Sequence, residues 1–229
     1  KSVWSKFGGL VNQKTMGIAI ESVAFLIVLA CIYCSVKMNL VGRTLWLDEA
    51  MLAVSFNKRS LLELCASPLE WNQSAPVGYL LVVKVITSLL GNSEFMFRLF
   101  SIIAYVLLLA VFYMVIKKMV RLPYPMLCTA GLANVAFLLE YSNMFKTYIC
   151  DALCVMLVLL LYYCYQENKI KFWFLCVAYF VLIWFSNPVA FFTGGIVAYE
   201  VLRAMWQKDK GKFVRGILLG VTICASFLI

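Results

Sequence analysis

The stretch Val77–Leu90, VGYLLVVKVITSLL, decides how the chain is threaded. Its 14 residues carry Lys84 near the middle. A run that short is more often interfacial or re-entrant than membrane-spanning. Seven other apolar runs, residues 16–36, 99–116, 123–139, 148–165, 172–186, 188–202 and 213–229, approach the roughly 17–25 residues a tilted span needs. The positive-inside rule separates the two threadings. With Val77–Leu90 on the membrane and a cytoplasmic N-terminus, Lys1, Lys6 and Lys14 fall inside. So do Lys117, Lys118 and Arg121, then Lys169 and Lys171, then Arg203, Lys208, Lys210, Lys212 and Arg215. The short outer loop at 140–147 keeps only Lys146. If Val77–Leu90 crossed, every later loop would flip and conflict with the N-terminus. The expectation is therefore an all-α polytopic membrane protein of seven transmembrane helices. Residues 37–98 form a long first outer loop carrying juxtamembrane helices.

Composition agrees. Hydrophobic residues are 64% of the chain, charged residues only 14%, and mean hydropathy is +0.92. A soluble domain has about 45–50% apolar and about 25% charged residues, so part of this surface needs lipid as its solvent. The net charge of +9 is read as topology, since no basic face with stacking aromatics marks a nucleic-acid partner. Nine Cys and no His exclude Ser-His and Cys-His catalysis and the commonest metal ligand. Cys31 and Cys34, like Cys150 and Cys154, lie inside apolar runs, where Cys packs as a small hydrophobe. No Cys spacing suggests zinc. The first run reads as an uncleaved helix rather than a signal peptide, because no small-x-small cleavage site follows it. The chain begins at Lys1 and stops inside an apolar run, which predicts a C-terminally truncated module over residues 1–229.

Three outer-face constellations can carry chemistry. Trp46-Leu47-Asp48-Glu49-Ala50 places adjacent carboxylates at the start of a helical pattern over 47–64, with Leu47, Met51, Val54, Leu61 and Leu64 near one face. Either this pair simply complements the helix dipole, or one carboxylate faces a cavity as a general base. In the 141–151 turn, Lys146 either binds a phosphate as a point charge or closes the turn through an ion pair with Asp151 or Glu140. Asp151 lies inside the following apolar run, where an ionisable group is costly and faces a cavity or partner. Arg98 either grips a phosphate bidentately or pairs with Glu94 four residues earlier. Glu200 and Arg203 read as an ion pair near the inner face.

In order, W-L-D-E-A, Q-S-A-P-V-G-Y (residues 73–79), S-E-F-M-F-R-L-F-S (residues 93–101) and K-T-Y-I-C-D (residues 146–151) resemble the GT-C superfamily of membrane glycosyltransferases. The similarity is to the branch of protein O-mannosyltransferases and lipid A aminoarabinose transferases. It covers roughly residues 16–229. It implies a seven-span module that moves a sugar from a polyprenyl-phosphate donor to a lipid, glycan or protein acceptor outside the cytoplasm. Asp48 matches the family's first-loop acid, base or acceptor-positioning group, and Glu49 accompanies it. Lys146, Tyr148 and Asp151 match the second-outer-loop motif near the donor phosphate, and Arg98 matches the arginine at the second-span entrance. The chain departs from many members at Asn143 and Met144, where they carry an acid. No clear ligand set for a divalent metal or other cofactor follows.

The resemblance thus implies a multi-pass protein of the bacterial cytoplasmic membrane, with an outward-facing active site among membrane lipids. Asp48 would serve as base, with Lys146 and Arg98 at the phosphate. A transporter or lipid flippase is the alternative, marked by inverted repeats and ionisable groups near the bilayer midplane. A non-catalytic membrane scaffold, tolerant of losing Asp48, Lys146 and Asp151, is the third.

Overall fold

A computed structural model describes residues 13–228, and every regular element among them is helical. Lys1 and Lys6, counted above as inner cations, lie outside the described residues. Helix α1 spans Gln13–Leu40. The loop that follows holds α2 (Leu47–Asn57), α3 (Leu61–Ala66), a single 3-10 turn at Glu70–Asn72 and α4 (Val77–Leu90). Then come α5 (Glu94–Val115), extended by a π-turn at Ile116–Val120, and two short helices, α6 (Pro125–Ala133) and α7 (Ala136–Tyr141). Helices α8 (Tyr148–Gln166), α9 (Phe172–Ile183), α10 (Asn187–Trp206) and α11 (Lys210–Leu228) complete the described chain.

Among the described residues, four helices are long and apolar enough to cross a membrane: Thr15–Leu40, Glu94–Val120, Tyr148–Gln166 and Asn187–Trp206. The other three runs of the seven-span expectation take different forms. The 123–139 run breaks into α6 and α7 at Asn134, whose backbone N–H and side-chain amide both donate to the Ala130 carbonyl, at 3.1 and 2.9 Å. At that break Tyr105 donates its hydroxyl to the Ala133 carbonyl at 2.8 Å. Helix α9 has 12 residues, and α11 has 19 but carries Lys210, Lys212 and Arg215 in its first two turns.

Val77–Leu90 forms one helix, about 21 Å long at 1.5 Å per residue, against a hydrocarbon core of about 30 Å. It lies on α5 with Tyr79, Leu80, Val83 and Thr87 buried. Lys84 is accommodated by reaching α2, where its ammonium donates to the Phe56 carbonyl at 3.2 Å and sits over the Phe56 ring. The continuous helix expected over 47–64 is instead two helices, interrupted before Ser60, whose hydroxyl and Glu63 form a reciprocal cap for α3. The predicted apolar face is also corrected. Leu64 is buried as expected, but Leu47, Val54 and Leu61 are exposed, and in α2 Glu49, Leu52, Ala53 and Phe56 form the buried stripe. Phe56 selects that stripe, because its ring packs edge-on to Phe97 and Phe145.

Helix α5 is the hub, packed against α1, α4, α6 and α8. On one side Ala24, Ala104, Ala130 and Ala133 let the backbones of α1, α5 and α6 approach closely. On the other, the core under the helices of the 41–93 segment continues through α8, α9, α10 and α11. Val23, Phe25, Leu26 and Leu29 on α1, and Phe191 and Leu202 on α10, point outward. An apolar surface of that extent is solvated by lipid.

Candidate functional site

The loop helices, the start of α5 and the turn before α8 meet at one end of the bundle. Adjacent helical residues point about 100° apart, and α2 uses that divergence. Glu49 turns into the protein and Asp48 turns outward.

Glu49 meets Arg98 in a fully buried ion pair, with side-chain exposures of 4% and 1%. Arg98 donates from Nε to Glu49 Oε1 at 3.0 Å and from a terminal nitrogen to Oε2 at 2.7 Å. Two of its three remaining N–H groups meet the Arg43 and Thr44 carbonyls at 2.7 and 3.1 Å. Glu49 also accepts from the backbone N–H groups of Trp46 at 3.0 Å and Phe145 at 2.5 Å. Burial pushes the Glu49 carboxyl up. The bonds from Arg98, Phe145 and Trp46 outweigh it and hold the group below the usual carboxylate range. Arg98 pairs with Glu49, 49 residues away, rather than with Glu94. Its guanidinium is spent on protein partners, so it is not an open donor for a phosphate.

Asp48 lies at the surface of this clamp. Its carboxylate bonds to Lys146 at 2.8 Å and accepts from the Gln73 side-chain amide at 3.0 Å. Lys146 in turn donates to Gln73 Oε1 at 2.8 Å, closing a three-membered ring. The Lys146 bond first, then that of Gln73, lowers the Asp48 carboxyl from its ordinary value. Asp48 is 42% exposed and Lys146 15%. The ammonium has three N–H groups, and two are committed within the ring. Lys146 thus pairs with neither Asp151 nor Glu140. Glu140 lies 3.9 Å from Arg43 instead.

The turn that delivers Lys146 is held on several sides. Phe145 is completely buried, its ring 5.1 Å from Phe97 and 6.1 Å from Tyr79 between centroids. Ser101 donates to the Met144 carbonyl at 2.8 Å. Ser142 and Ser35 bond through their hydroxyls at 2.7 Å, and Asn143 donates to the Leu139 carbonyl at 2.9 Å. Asn143, where the resembled family often has an acid, is a buried turn-former here.

The remaining expected residues stand apart from the ring. Tyr148 is exposed, with its ring 4.8 Å from that of Tyr141. Asp151 is half-buried and accepts from the Thr147 hydroxyl at 3.0 Å. Its second oxygen has no partner among the described residues, and the same is true of the buried Ser186 hydroxyl. The expected gathering of Asp48, Arg98, Lys146 and Asp151 in one cavity is therefore realised as two linked pairs, Asp48–Lys146 and Glu49–Arg98, with Asp151 beginning α8 one turn on.

An apolar groove of about 420 Å³ opens close by in the chain, lined in part by Pro76, Val77, Trp184, Asn187 and Phe191. Its wall is pinned by the Gly78 amide, which donates to the Trp184 carbonyl at 2.7 Å. Among the described residues no cluster of three or more His, Cys, Asp or Glu is arranged to hold a metal ion.

Gln73, in the Q-S-A-P-V-G-Y segment, completes the ring as the partner of both Asp48 and Lys146. A polar residue between two loop helices carries no distinguishing signal until Asp48 and Lys146 close around it. Glu21 went unremarked inside the first apolar run, where its carboxylate accepts from the Met126 amide at 3.0 Å and caps α6. Compared with family models, with curated proteins and with solved structures, the chain matches none.

Proposed function

We propose that the chain is the membrane module of a glycosyltransferase that uses a polyprenyl-phosphate sugar donor on the non-cytoplasmic face. In this reading α6–α7, α9 and α11 complete a seven-span set, and Val77–Leu90 lies along the outer membrane surface. The Asp48–Lys146 ion pair carries the proposal. It joins residues from two outer loops in a partly exposed, rigidly supported position. Its partner Gln73 stands three residues before Pro76, which lines an apolar groove suited to an isoprenoid chain.

The pair explains how a weakly basic carboxylate can serve as base. In the resting ring, Asp48 is held ionised with little appetite for a proton. A donor phosphate oxygen engages the third N–H of Lys146 and draws the ammonium away from Asp48. The carboxylate then loses its strongest stabilising bond, and its proton affinity rises. The acceptor O–H or N–H proton passes to Asp48, and the acceptor atom bonds to the sugar anomeric carbon. The bond from that carbon to the phosphate oxygen breaks, and its electron pair leaves on the polyprenyl phosphate. Glu49 and Arg98 are positioning residues, and Asp151 and Tyr148 line the approach. Among the described residues, the Asp, Glu, Lys and Arg side chains of the four long apolar helices lie toward helix ends, apart from Glu21, which caps α6; this favours surface chemistry over midplane transport.

The test is transfer of labelled sugar from a polyprenyl-phosphate donor by purified full-length protein. Asp48→Asn keeps the shape and removes the base, and a loss of roughly 10²–10⁴-fold is expected. A folded Asp48→Asn protein that transfers at the wild-type rate rejects the assignment.

A further inference from the structure

A second polar site lies at the far end of the same helices. Helix α8 runs from the Asp48 end to Gln166, and α10 returns from Asn187 to Trp206, so Gln166 and Glu200 lie away from the ion-pair ring. There a cavity of about 230 Å³ is lined by Tyr162, Gln166, Glu200, Lys212 and Arg215 around an apolar floor of Leu175 and Leu219. The floor is tight: a Cβ on Gly216 would stand 2.8 Å from a Val201 methyl. A neighbouring cavity of about 430 Å³ shares Arg215 and adds Lys171, Trp173 and Leu218.

The charge ledger of this region is uneven. Glu200 accepts from the Tyr162 hydroxyl and from Gln166 at 2.8 Å, and lies 3.9 Å from Arg203. Asp209 pairs with Lys212 at 3.4 Å, and Glu167 with Lys169 at 3.5 Å. Each local acid is thus matched by its own cation. Arg215 and Lys171 meet no acid among the described residues, and both border the second cavity. Trp173 and Trp206 at this end are both exposed, and Trp is enriched at membrane–water interfaces.

We infer that Arg215 and Lys171 hold the phosphate of an anionic phospholipid in this cleft. The guanidinium of Arg215 meets the phosphate oxygens as a fork, and Lys171 adds a point charge. The glycerol and acyl chains then descend along the outward-facing apolar surface of Leu218 and Trp173 into the bilayer. A freely diffusing anion would use the cations but gain nothing from that surface. The site is independent of the sugar-transfer reading, because it uses none of the Asp48 ring.

The experiment titrates phosphatidylglycerol, phosphatidylcholine and inorganic phosphate separately against the full chain in detergent, with bound lipid counted by native mass spectrometry. Each juxtamembrane cation contributes about a fivefold gain in affinity for an anionic lipid. Arg215→Gln and Lys171→Gln should each weaken phosphatidylglycerol about fivefold, and the double variant about 25-fold. Arg215→Lys should bind more tightly than Arg215→Gln and less tightly than wild type, because it keeps the charge and loses the fork. Lys117→Gln with Lys118→Gln removes two charges at the same end of the bundle and should leave binding unchanged. Equal binding of phosphatidylcholine, an equal loss in the Lys117/Lys118 control, or inorganic phosphate displacing the lipid at similar concentration would each overturn the inference.

Discussion

Two ion pairs of nearly equal length, 2.7 Å for Glu49–Arg98 and 2.8 Å for Asp48–Lys146, should differ severalfold in what they contribute to stability. Burial makes the difference. Replacing Arg98 by Met keeps the aliphatic stem and removes the charge. It leaves the Glu49 carboxylate in a dry site with only the Trp46 and Phe145 amides, and strips the Arg43 and Thr44 carbonyls of their donor. Breaking a buried pair from one side costs about 3–5 kcal/mol. Lys146→Met breaks a partly exposed pair and should cost less than about 1 kcal/mol. Unfolding in mixed micelles, followed by tryptophan fluorescence, compares the two variants directly. The pH dependence supplies a second readout with a definite sign. In the wild-type protein Glu49 is held below its unfolded value, so its contribution is complete above the ordinary carboxylate range and is lost only as pH falls through the lowered value. In Arg98→Met the carboxyl loses the lowering by its cation and titrates higher than in the wild type, so the stability gap between variant and wild type should narrow as pH falls through the carboxylate range. A loss below about 1 kcal/mol, or a gap that does not change with pH, would refute the claim that this pair is the buried anchor of the site.

Two further substitutions test the supports of that anchor. Gly78→Ala places a Cβ 2.7 Å from the Trp184 carbonyl oxygen and 3.0 Å from its carbon, and backbone must move to admit it. Overpacking of this kind costs about 1–3 kcal/mol, and the same unfolding measurement should show it. Phe145→Ala empties a fully buried ring site among Phe56, Phe97 and Tyr79, at about 3–5 kcal/mol. Hydrogen exchange at the Lys146 and Thr147 amides should rise in that variant if Phe145 holds the turn.

Some of this was legible from residue order and some was not. The four long apolar helices follow from hydropathy alone, because length and apolarity are local properties. The helical register of α2 was misread, because Leu47 and Val54 are as apolar as Leu52. Only the tertiary position of Phe56 selects which stripe turns inward. The break at Asn134 was equally hidden: its amide competes for a carbonyl one turn back, within a run whose composition still reads as continuous. Asp48, Glu49, Arg98 and Lys146 were all visible as candidates. Their pairing was not, since sequence proximity suggested Arg98 with Glu94 and Lys146 with Asp151, whereas the partners lie 49 and 98 residues away in α2.

That pairing assigns different work to the two adjacent acids. Glu49 cannot exchange partners cheaply, because its bonds to Arg98 and to the Phe145 amide are all buried. Asp48 can, because its partner Lys146 retains a donor and both have access to solvent. The two acids are nevertheless mechanically connected. Glu49 holds the Phe145 amide, and Phe145 is the residue before Lys146. A shift of the Glu49–Arg98 clamp would therefore move Lys146 relative to Asp48, although neither clamp residue touches the exposed pair through a side chain. Substitutions in the clamp should degrade the geometry and stability of the site together. Substitutions at Asp48 should separate the two, sparing stability and removing whatever chemistry the exposed carboxylate performs. That separation distinguishes a catalytic surface from a structural ion-pair network, and it does so without first identifying the sugar or its acceptor.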